Sequence, residues 1–122
     1  MKTVLALVLS WLGFLLHNLA DLPDKNPFIP ETLYPSLVYL ILVIAWWVMP
    51  GRVTTALLLV WVGLNFLGGG VISVLPLPFL PFAPEQTVYH YTFHVLYAAS
   101  QVPALILLLG RMREPRVAVE AR

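Results

Sequence analysis

Four apolar runs, each long enough to cross a lipid bilayer, constrain the fold of this chain more than any other feature. Segments rich in proline, glycine or charge separate these runs, which cover about residues 3–20, 31–49, 53–75 and 85–110. A membrane-spanning helix needs about 20 predominantly apolar residues, and hydrocarbon admits only helices and closed barrels. Because the runs are long and show no alternation, we predict an all-α integral membrane four-helix bundle that occupies residues 1–122 as a single transmembrane domain.

Composition agrees with this class and excludes several kinds of function. The 122 residues are 60% hydrophobic and 11% charged, with a mean hydropathy of +0.86, whereas about a quarter of the residues in a soluble domain are charged. There is no cysteine, so disulfides, thiolate metal sites and cysteine nucleophiles are excluded. No basic face supports nucleic-acid binding, and no motif specifies a reaction, so the sequence favours a role without enzymatic activity.

The first apolar run follows Met1 and Lys2, a position that a secretory signal peptide would also occupy. This run is longer than a usual signal core and ends without a small-residue cleavage site, so we interpret it as a retained helix. One face of the helix carries small and polar residues at helical spacing, which allows another helix to approach closely. These residues are Ala6, Ser10, Gly13, His17 and Asp21.

The basic residues predict which way the bundle crosses the membrane. Cytoplasmic segments carry an excess of lysine and arginine, so we place both termini and the short turn at residues 49–52 in the cytoplasm of a plasma-membrane protein. Six of the seven basic residues then lie inside, namely Lys2, Arg52, Arg111, Arg113, Arg116 and Arg122. Four of the six acids lie outside, namely Asp21, Asp24, Glu31 and Glu85. Residues 111–122 form a polar cytoplasmic tail in this prediction.

Proline and glycine mark the breaks around the third and fourth runs. Gly68, Gly69 and Gly70 interrupt the third run and predict close helix packing or a local bend. The outer loop from Pro76 to Pro84 has four prolines among leucine and phenylalanine residues, which forbids a helix and leaves an apolar surface. We expect this loop to contact the membrane interface, a protein partner or a second copy of the chain in a homo-oligomer.

A row of polar side chains marks the fourth run, which is otherwise apolar and which Pro103 is expected to kink. Helical geometry places these side chains within a sector of about 80°, because their spacings are four, four, three and four residues. They are Gln86, His90, His94, Tyr97 and Gln101. A polar group that faces hydrocarbon is strongly unfavourable, so this row is expected to face other helices or a wet cavity.

Depth estimates bring polar residues of three helices to one level. With a rise of about 1.5 Å per residue, His17, Asn65 and His94 lie about 20–25 Å from the cytoplasmic ends of their helices. His90 and Asp21 lie one turn farther out. We therefore expect a polar pocket in the outer half of the bundle. Its ligand-binding residues are predicted to be His17, Asn65, His90, His94, Tyr97 and Gln101.

The same pocket predicts metal binding. Two histidines four residues apart present both imidazoles on one helix face, which is the spacing by which one helix supplies two metal ligands. Imidazole together with carboxylate suits a zinc or copper ion. The predicted metal ligands are His17, His90, His94 and Asp21, with orientation of His17 as an alternative role for Asp21.

Three other interpretations remain open at this point. One histidine from each of two facing helices would supply both axial ligands of a haem, with Gly13, Gly69 and Ala98 making room for the macrocycle. Alternatively, the histidines serve only packing and interfacial hydrogen bonds in a structural or interaction protein. A pathway for protons or small solutes is the third. The binding interpretation also fits an accessory subunit of a larger membrane complex.

Overall fold

The chain folds into helices over the part that the structure describes. The computed structural model describes residues 1–115, and these residues contain no β-strand. The four α-helices within this described part are α1 (Lys2–Asp21), α2 (Pro30–Val48), α3 (Arg52–Leu64) and α4 (Val88–Arg113). A π-helix (Asn65–Val71) and a 3₁₀ turn (Ile72–Val74) extend α3.

Four helical spans within residues 1–115 are long and apolar enough to cross a membrane. The third of them combines α3 with its extension and runs Arg52–Val74. The predicted all-α class with four membrane-length helices is therefore confirmed, and it indicates a membrane protein. The orientation of the bundle and the side on which each loop lies remain predictions.

The start of α4 differs from the sequence prediction. The helix begins at Val88 rather than at Glu85, because Thr87 caps it and its side chain accepts a hydrogen bond from the His90 backbone N–H at 3.2 Å. Gln86, which was expected on the polar face of α4, lies in the preceding loop. Its side-chain amide donates there to two backbone carbonyl groups. Gln86 therefore stabilises the loop through these hydrogen bonds and is not part of the polar row on α4.

The end of α4 also differs, because the helix continues to Arg113 rather than ending at residue 110. It passes through Pro103 as one continuous helix. Arg52 supports its last turn, since Nη2 of Arg52 donates to the Met112 carbonyl oxygen at 2.9 Å. The remainder of the predicted tail, residues 116–122, lies outside the described residues.

α1 and α4 pack against each other in antiparallel orientation and form the centre of the bundle. Ser10 is hydrogen-bonded to Gln101, and His17 contacts His94, so a step of seven residues along α1 matches the same step back along α4. The expected close approach is present, because a Cβ atom on Gly13 would overlap a side chain of α4. The small face of α1 is therefore its packing face.

An apolar core lies nearest the end of the bundle that carries Lys2. Its buried members are Ala6, Leu7, Trp46, Leu58, Val62, Ala104 and Leu108. A smaller aromatic group, Phe14, Tyr39 and Tyr97, separates this core from the polar end. In a bilayer such helices associate through close packing and interhelical hydrogen bonds, because lipid tails are as apolar as the side chains themselves.

The glycine triplet lies in the π-helix that extends α3. The wide turns of π-helices are often found at functional sites. A Cβ on Gly69 would lie 2.6 Å from a ring carbon of α4, and a Cβ on Gly70 would lie 3.0 Å from the Ala98 Cα. A Cβ on Gly68 would meet no described atom within 4 Å. Close packing, one of the two outcomes expected from the triplet, is therefore present at its second and third glycines.

α2 lies at the periphery of the bundle. Only 17% of its span is buried, against 33% of the α1 span. Its outward side chains include Leu40, Ile41 and Ile44, all more than half exposed. A helix with this many exposed apolar side chains is suited to contact with lipid.

Candidate metal centre

Four titratable side chains meet at the end of the bundle that carries Asp21. His17 Nε2 lies 2.9 Å from His94 Nε2, and Asp21 Oδ2 lies 3.0 Å from His17 Nε2 and 3.6 Å from His94 Nε2. His90 places its Nδ1 3.0 Å from the same carboxylate oxygen. The i, i+4 spacing within each helix and the antiparallel register of α1 and α4 bring the four together. We call His17, Asp21, His90 and His94 the histidine–aspartate cluster.

Asn18 determines which nitrogen of His17 carries the hydrogen. Its amide Nδ2 donates to the Glu31 carbonyl oxygen and to Thr32 Oγ1, each at 3.1 Å. A carbonyl oxygen only accepts, so the amide atom that faces it is nitrogen and the other amide atom, Oδ1, is an acceptor. His17 Nδ1 lies 3.0 Å from this Oδ1 and therefore donates to it. In neutral His17, Nε2 is then an acceptor with a free lone pair.

The π-helix likewise fixes the ring hydrogen of neutral His94 on Nδ1. Its Nδ1 lies 3.3 Å from the Gly70 carbonyl oxygen and donates to it, because that oxygen only accepts. The His94 side chain is 4% exposed, which leaves little access for water. Neutral His94 therefore also presents a lone pair at Nε2. Two lone pairs then face each other across 2.9 Å, an arrangement that is repulsive unless a cation lies between them.

Asp21 adds a third acceptor at the same point. Its side chain is 7% exposed, and Oδ2 accepts no hydrogen bond of good geometry from the described residues. A buried carboxylate oxygen without a donor is unfavourable unless a cation compensates it. Ligand atoms about 2.0–2.1 Å from a tetrahedral zinc ion lie about 3.3 Å from one another. The three separations of 2.9, 3.0 and 3.6 Å lie on either side of that value.

His90 stands beside this group of three. The ligand atoms of His17, Asp21 and His94 all lie within 4.8 Å of one another. His90 contacts the Asp21 carboxylate, and its ring lies 4.5 Å from the His94 ring between centroids. Its Nε2 is buried and has no hydrogen-bond partner among the described residues. Of the four predicted metal ligands, three thus converge and the fourth is their neighbour.

The other predicted ligand-binding residues lie beneath the cluster. The Tyr97 ring stacks on the His17 ring at 5.0 Å between centroids, and its hydroxyl donates to Asn65 Oδ1. Gln101 lies deeper, where its Nε2 donates to the Ser10 carbonyl oxygen at 2.9 Å and its Oε1 accepts from two hydroxyl groups. These side chains are buried and satisfy one another. They form the floor of the site and do not reach the point where the ligand atoms converge.

The arrangement does not fit a haem. Iron held by two axial imidazoles separates their nitrogen atoms by about 4 Å, twice a usual metal–imidazole bond, whereas the two Nε2 atoms here are 2.9 Å apart. The space beside Gly13 is filled by Ser100, and that beside Gly69 is filled by Tyr97. A flat macrocycle therefore has no room between the two imidazole rings.

Two contacts that define the cluster were absent from the sequence prediction, namely those of the Asn18 amide and the Gly70 carbonyl. Adjacent residues of a helix do not face each other, so helical spacing gives no reason to pair Asn18 with His17. A backbone carbonyl leaves no trace in the sequence at all. The one available signal was the presence of an amide side chain within an apolar membrane span, where polar groups require partners.

Comparison with models of protein families, with curated proteins and with solved structures found no match for this chain. No activity, ligand or partner is therefore transferred from another protein. The functional interpretation depends on the geometry and protonation of the histidine–aspartate cluster.

Proposed function

We propose that this chain is an integral membrane protein that binds one divalent transition-metal cation, of the zinc class, at the histidine–aspartate cluster. The ligand atoms are His17 Nε2, His94 Nε2 and Asp21 Oδ2, which leave a fourth position for water or His90. One observation carries the proposal: two acceptor nitrogens stand 2.9 Å apart, and each ring has its Nδ1 already committed to a carbonyl oxygen. Metal-bound histidine characteristically donates its other ring N–H to such an oxygen.

A shared proton is the second candidate for the same position. An N–H···N hydrogen bond between the two imidazoles at 2.9 Å would also remove the repulsion, and it is the arrangement that a proton relay requires. A proton placed there leaves Asp21 Oδ2 buried, with nitrogen contacts at 3.0 Å from His17 and His90 that lack hydrogen-bond geometry. A metal ion takes lone pairs from all three atoms at once, which is why we favour it.

The ligand chemistry supports a zinc-class ion over softer metals. Imidazole suits zinc, copper and nickel, whereas copper(I) prefers the sulfur atoms of cysteine and methionine. The chain has no cysteine, and all four members of the cluster offer nitrogen or oxygen. Copper(II) binds most nitrogen and oxygen sites more tightly than zinc does, so an experiment must compare both metals.

We further propose that the cluster faces the outside of the plasma membrane and that both termini are cytoplasmic. The charge distribution supports this orientation, because Lys2, Arg52 and Arg111 gather at the end of the bundle opposite Asp21. Lys2 and Arg111 line one cavity there, and Arg52 reaches the last turn of α4 at the Met112 carbonyl.

As a cellular role, we propose a metal-binding accessory subunit that contacts its partner or a second copy of itself through the loop from Pro76 to Pro84. This loop joins the third span to α4 at the end near the cluster, and its Phe79 and Phe82 side chains are 73% and 51% exposed. Exposed aromatic side chains held between prolines favour such a contact. A purely structural membrane protein would use the same loop without any metal.

Metal analysis of the purified protein tests the binding proposal. The protein is purified without a polyhistidine tag in a mild detergent, and is equilibrated separately with zinc and with copper(II). We expect about one zinc per chain in the wild type, and almost none after His17→Ala or His94→Ala, because loss of one ligand removes most of the affinity of a three-ligand site. Val88→Ala, which changes a side chain that is 85% exposed near the same end, is the control. A wild type that takes up neither metal would refute the proposal and leave the proton and structural alternatives.

A further inference from the structure

We infer that the histidine–aspartate cluster exchanges its cation with water at one end of the bundle only, the end that carries Asp21, and that His90 is the ligand that passes the cation in and out. This inference rests on the proposed metal binding and specifies how that site is reached. It also separates a one-sided binding site from a path across the membrane.

The Asp21 end of the cluster is the accessible one. The side chains of His94 and Asp21 are 4% and 7% exposed, whereas those of His17 and His90 are each 14% exposed. His90 lies one turn closer than His94 to the start of α4, where Val88 and Tyr89 are exposed. A cation that approaches from this end therefore meets His90 before it reaches the inner ligands.

The contacts of His90 suit a transfer role. Its Nδ1 touches Asp21 Oδ2, the same oxygen that faces both His17 and His94. Its Nε2 is buried and unpartnered among the described residues. A cation bound between His90 and Asp21 therefore needs only to exchange His90 for the two inner nitrogens, and Asp21 holds it throughout the exchange.

The opposite side of the cluster is closed by successive layers. Tyr97 stacks on His17 and packs against Phe14, with centroids 6.1 Å apart. Next come the mutually satisfied side chains of Ser10 and Gln101, both 0% exposed. The apolar core then fills the remaining length, with Leu58 also 0% exposed.

These layers offer a metal ion no further ligands. The side chains that line them within the described residues are phenyl, phenol, indole, hydroxyl, amide and aliphatic groups, whereas a divalent transition metal needs imidazole, carboxylate or thiolate ligands. A cation that enters from the Asp21 end therefore has to leave by the same end.

Vesicles containing the reconstituted, zinc-loaded protein test this inference. An Asp24→Cys change, in a chain that has no other cysteine, reports through an impermeant thiol reagent the fraction of molecules whose Asp21 end faces outward. Bound zinc is measured first, and an impermeant chelator is then added outside. We expect the chelator to remove a fraction of the zinc equal to the thiol-labelled fraction, and an indicator trapped inside the vesicles to receive no more zinc than the unlabelled, inward-facing molecules carry.

The role of His90 is tested by rates. Removal of an ordinary ligand accelerates loss of the metal, whereas removal of a transfer ligand slows both loading and stripping. We expect His90→Ala to slow both rates about tenfold or more, and Val88→Ala to change neither rate. Loss of a residue that contacts a metal ligand typically changes metal affinity or activity by about 10- to 100-fold. Faster stripping from His90→Ala would show that His90 is an ordinary ligand and would overturn its role in transfer.

The outcomes distinguish this inference from the proposed function. Absence of bound zinc in the wild type would overturn both. Bound zinc that the chelator strips from molecules of either orientation, or more zinc in the vesicle interior than the inward-facing molecules carry, would overturn the one-sided site and leave metal binding intact.

Discussion

At the scale of single residues, Asn18 connects the chemistry of the cluster to the position of α2. Its amide accepts from His17 Nδ1 and donates to Glu31 and Thr32 at the start of α2. Interhelical hydrogen bonds in membrane bundles contribute only about 0.6 kcal/mol each on average. The main consequence of losing Asn18 should therefore be a His17 imidazole whose Nδ1 hydrogen is no longer fixed by an acceptor, rather than a displaced helix.

We predict that Asn18→Ala lowers the zinc affinity about 10- to 100-fold, because His17 loses the acceptor that orients it. Asn18→Asp keeps an acceptor at that place and should retain most of the affinity. The measurement is a zinc titration against a competing indicator in detergent. Thr32→Val is the control, since it removes one bond between Asn18 and α2 and leaves the bond to His17. If Asn18→Ala and Thr32→Val lowered the zinc affinity equally, the bonds from Asn18 to α2, and not the orientation of the His17 imidazole, would determine the affinity.

The pH dependence of binding should follow from the two inner imidazoles. Each must be free of a proton at Nε2 to bind the metal, so protons compete with zinc and affinity falls as the pH is lowered. On the acid side, the loss should approach about tenfold per pH unit for each imidazole that must first release a proton. Zinc titrations between about pH 5.5 and about pH 8 measure this slope. An affinity that rises with acidity would contradict histidine ligation.

At the scale of helices, α1 and α4 contain the part of the site that sequence alone predicts. His17 with Asp21, and His90 with His94, are i, i+4 pairs in apolar spans, and polar groups in such spans face inward. The remaining features depend on tertiary contacts. A glycine triplet weakens an α-helix, and the sequence shows that much. The close approach of Gly70 to the Ala98 backbone, and the contact of the Gly70 carbonyl with His94, are tertiary contacts that the sequence does not show.

Dependence on specific side-chain contacts also explains why the sequence prediction misplaced the start of α4. A glutamate near a helix start is favourable, which made residue 85 a reasonable boundary. The Thr87 side chain nevertheless accepts from a backbone N–H of the first turn, and the Gln86 amide is used in the loop. Local propensity predicts that a helix is present, whereas the residue at which the helix begins depends on which side chain caps it.

We predict different effects on zinc affinity for alanine at the first and third glycines of the triplet. Gly70→Ala places a methyl group 3.0 Å from the Ala98 Cα, so the carbonyl that orients His94 must shift and zinc affinity should fall about tenfold or more. Gly68→Ala meets no described neighbour and should leave the affinity unchanged while stabilising the helix by up to about 1 kcal/mol. Zinc titration and thermal unfolding of both variants provide the test. A loss of affinity in Gly68→Ala equal to that in Gly70→Ala would argue against a role for this specific contact.

At the scale of the whole molecule, apolar length predicted four spans correctly, because hydrocarbon leaves few alternatives. The function of the loop from Pro76 to Pro84 is less constrained, since an apolar loop can contact either lipid or protein. We predict that the double change Phe79→Ser and Phe82→Ser removes most of the crosslinked oligomer or complex while the four spans stay inserted. Phe28→Ser, at another side chain that is 73% exposed, is the control. Unchanged crosslinking would count against protein contact through this loop.

The orientation of the bundle decides from which compartment the cluster receives its metal. Because the chain has no cysteine, single cysteines at Asp24, Gly51, Ala83 and Ala118 can be probed with an impermeant thiol reagent in intact cells. The excess of basic residues at the end opposite Asp21 predicts labelling at positions 24 and 83 and none at 51 or 118, of which 118 lies outside the described residues. Permeabilised cells, in which all four positions should react, are the control. Labelling at 51 and 118 alone would reverse the orientation, and the histidine–aspartate cluster would then draw its cation from the cytoplasm.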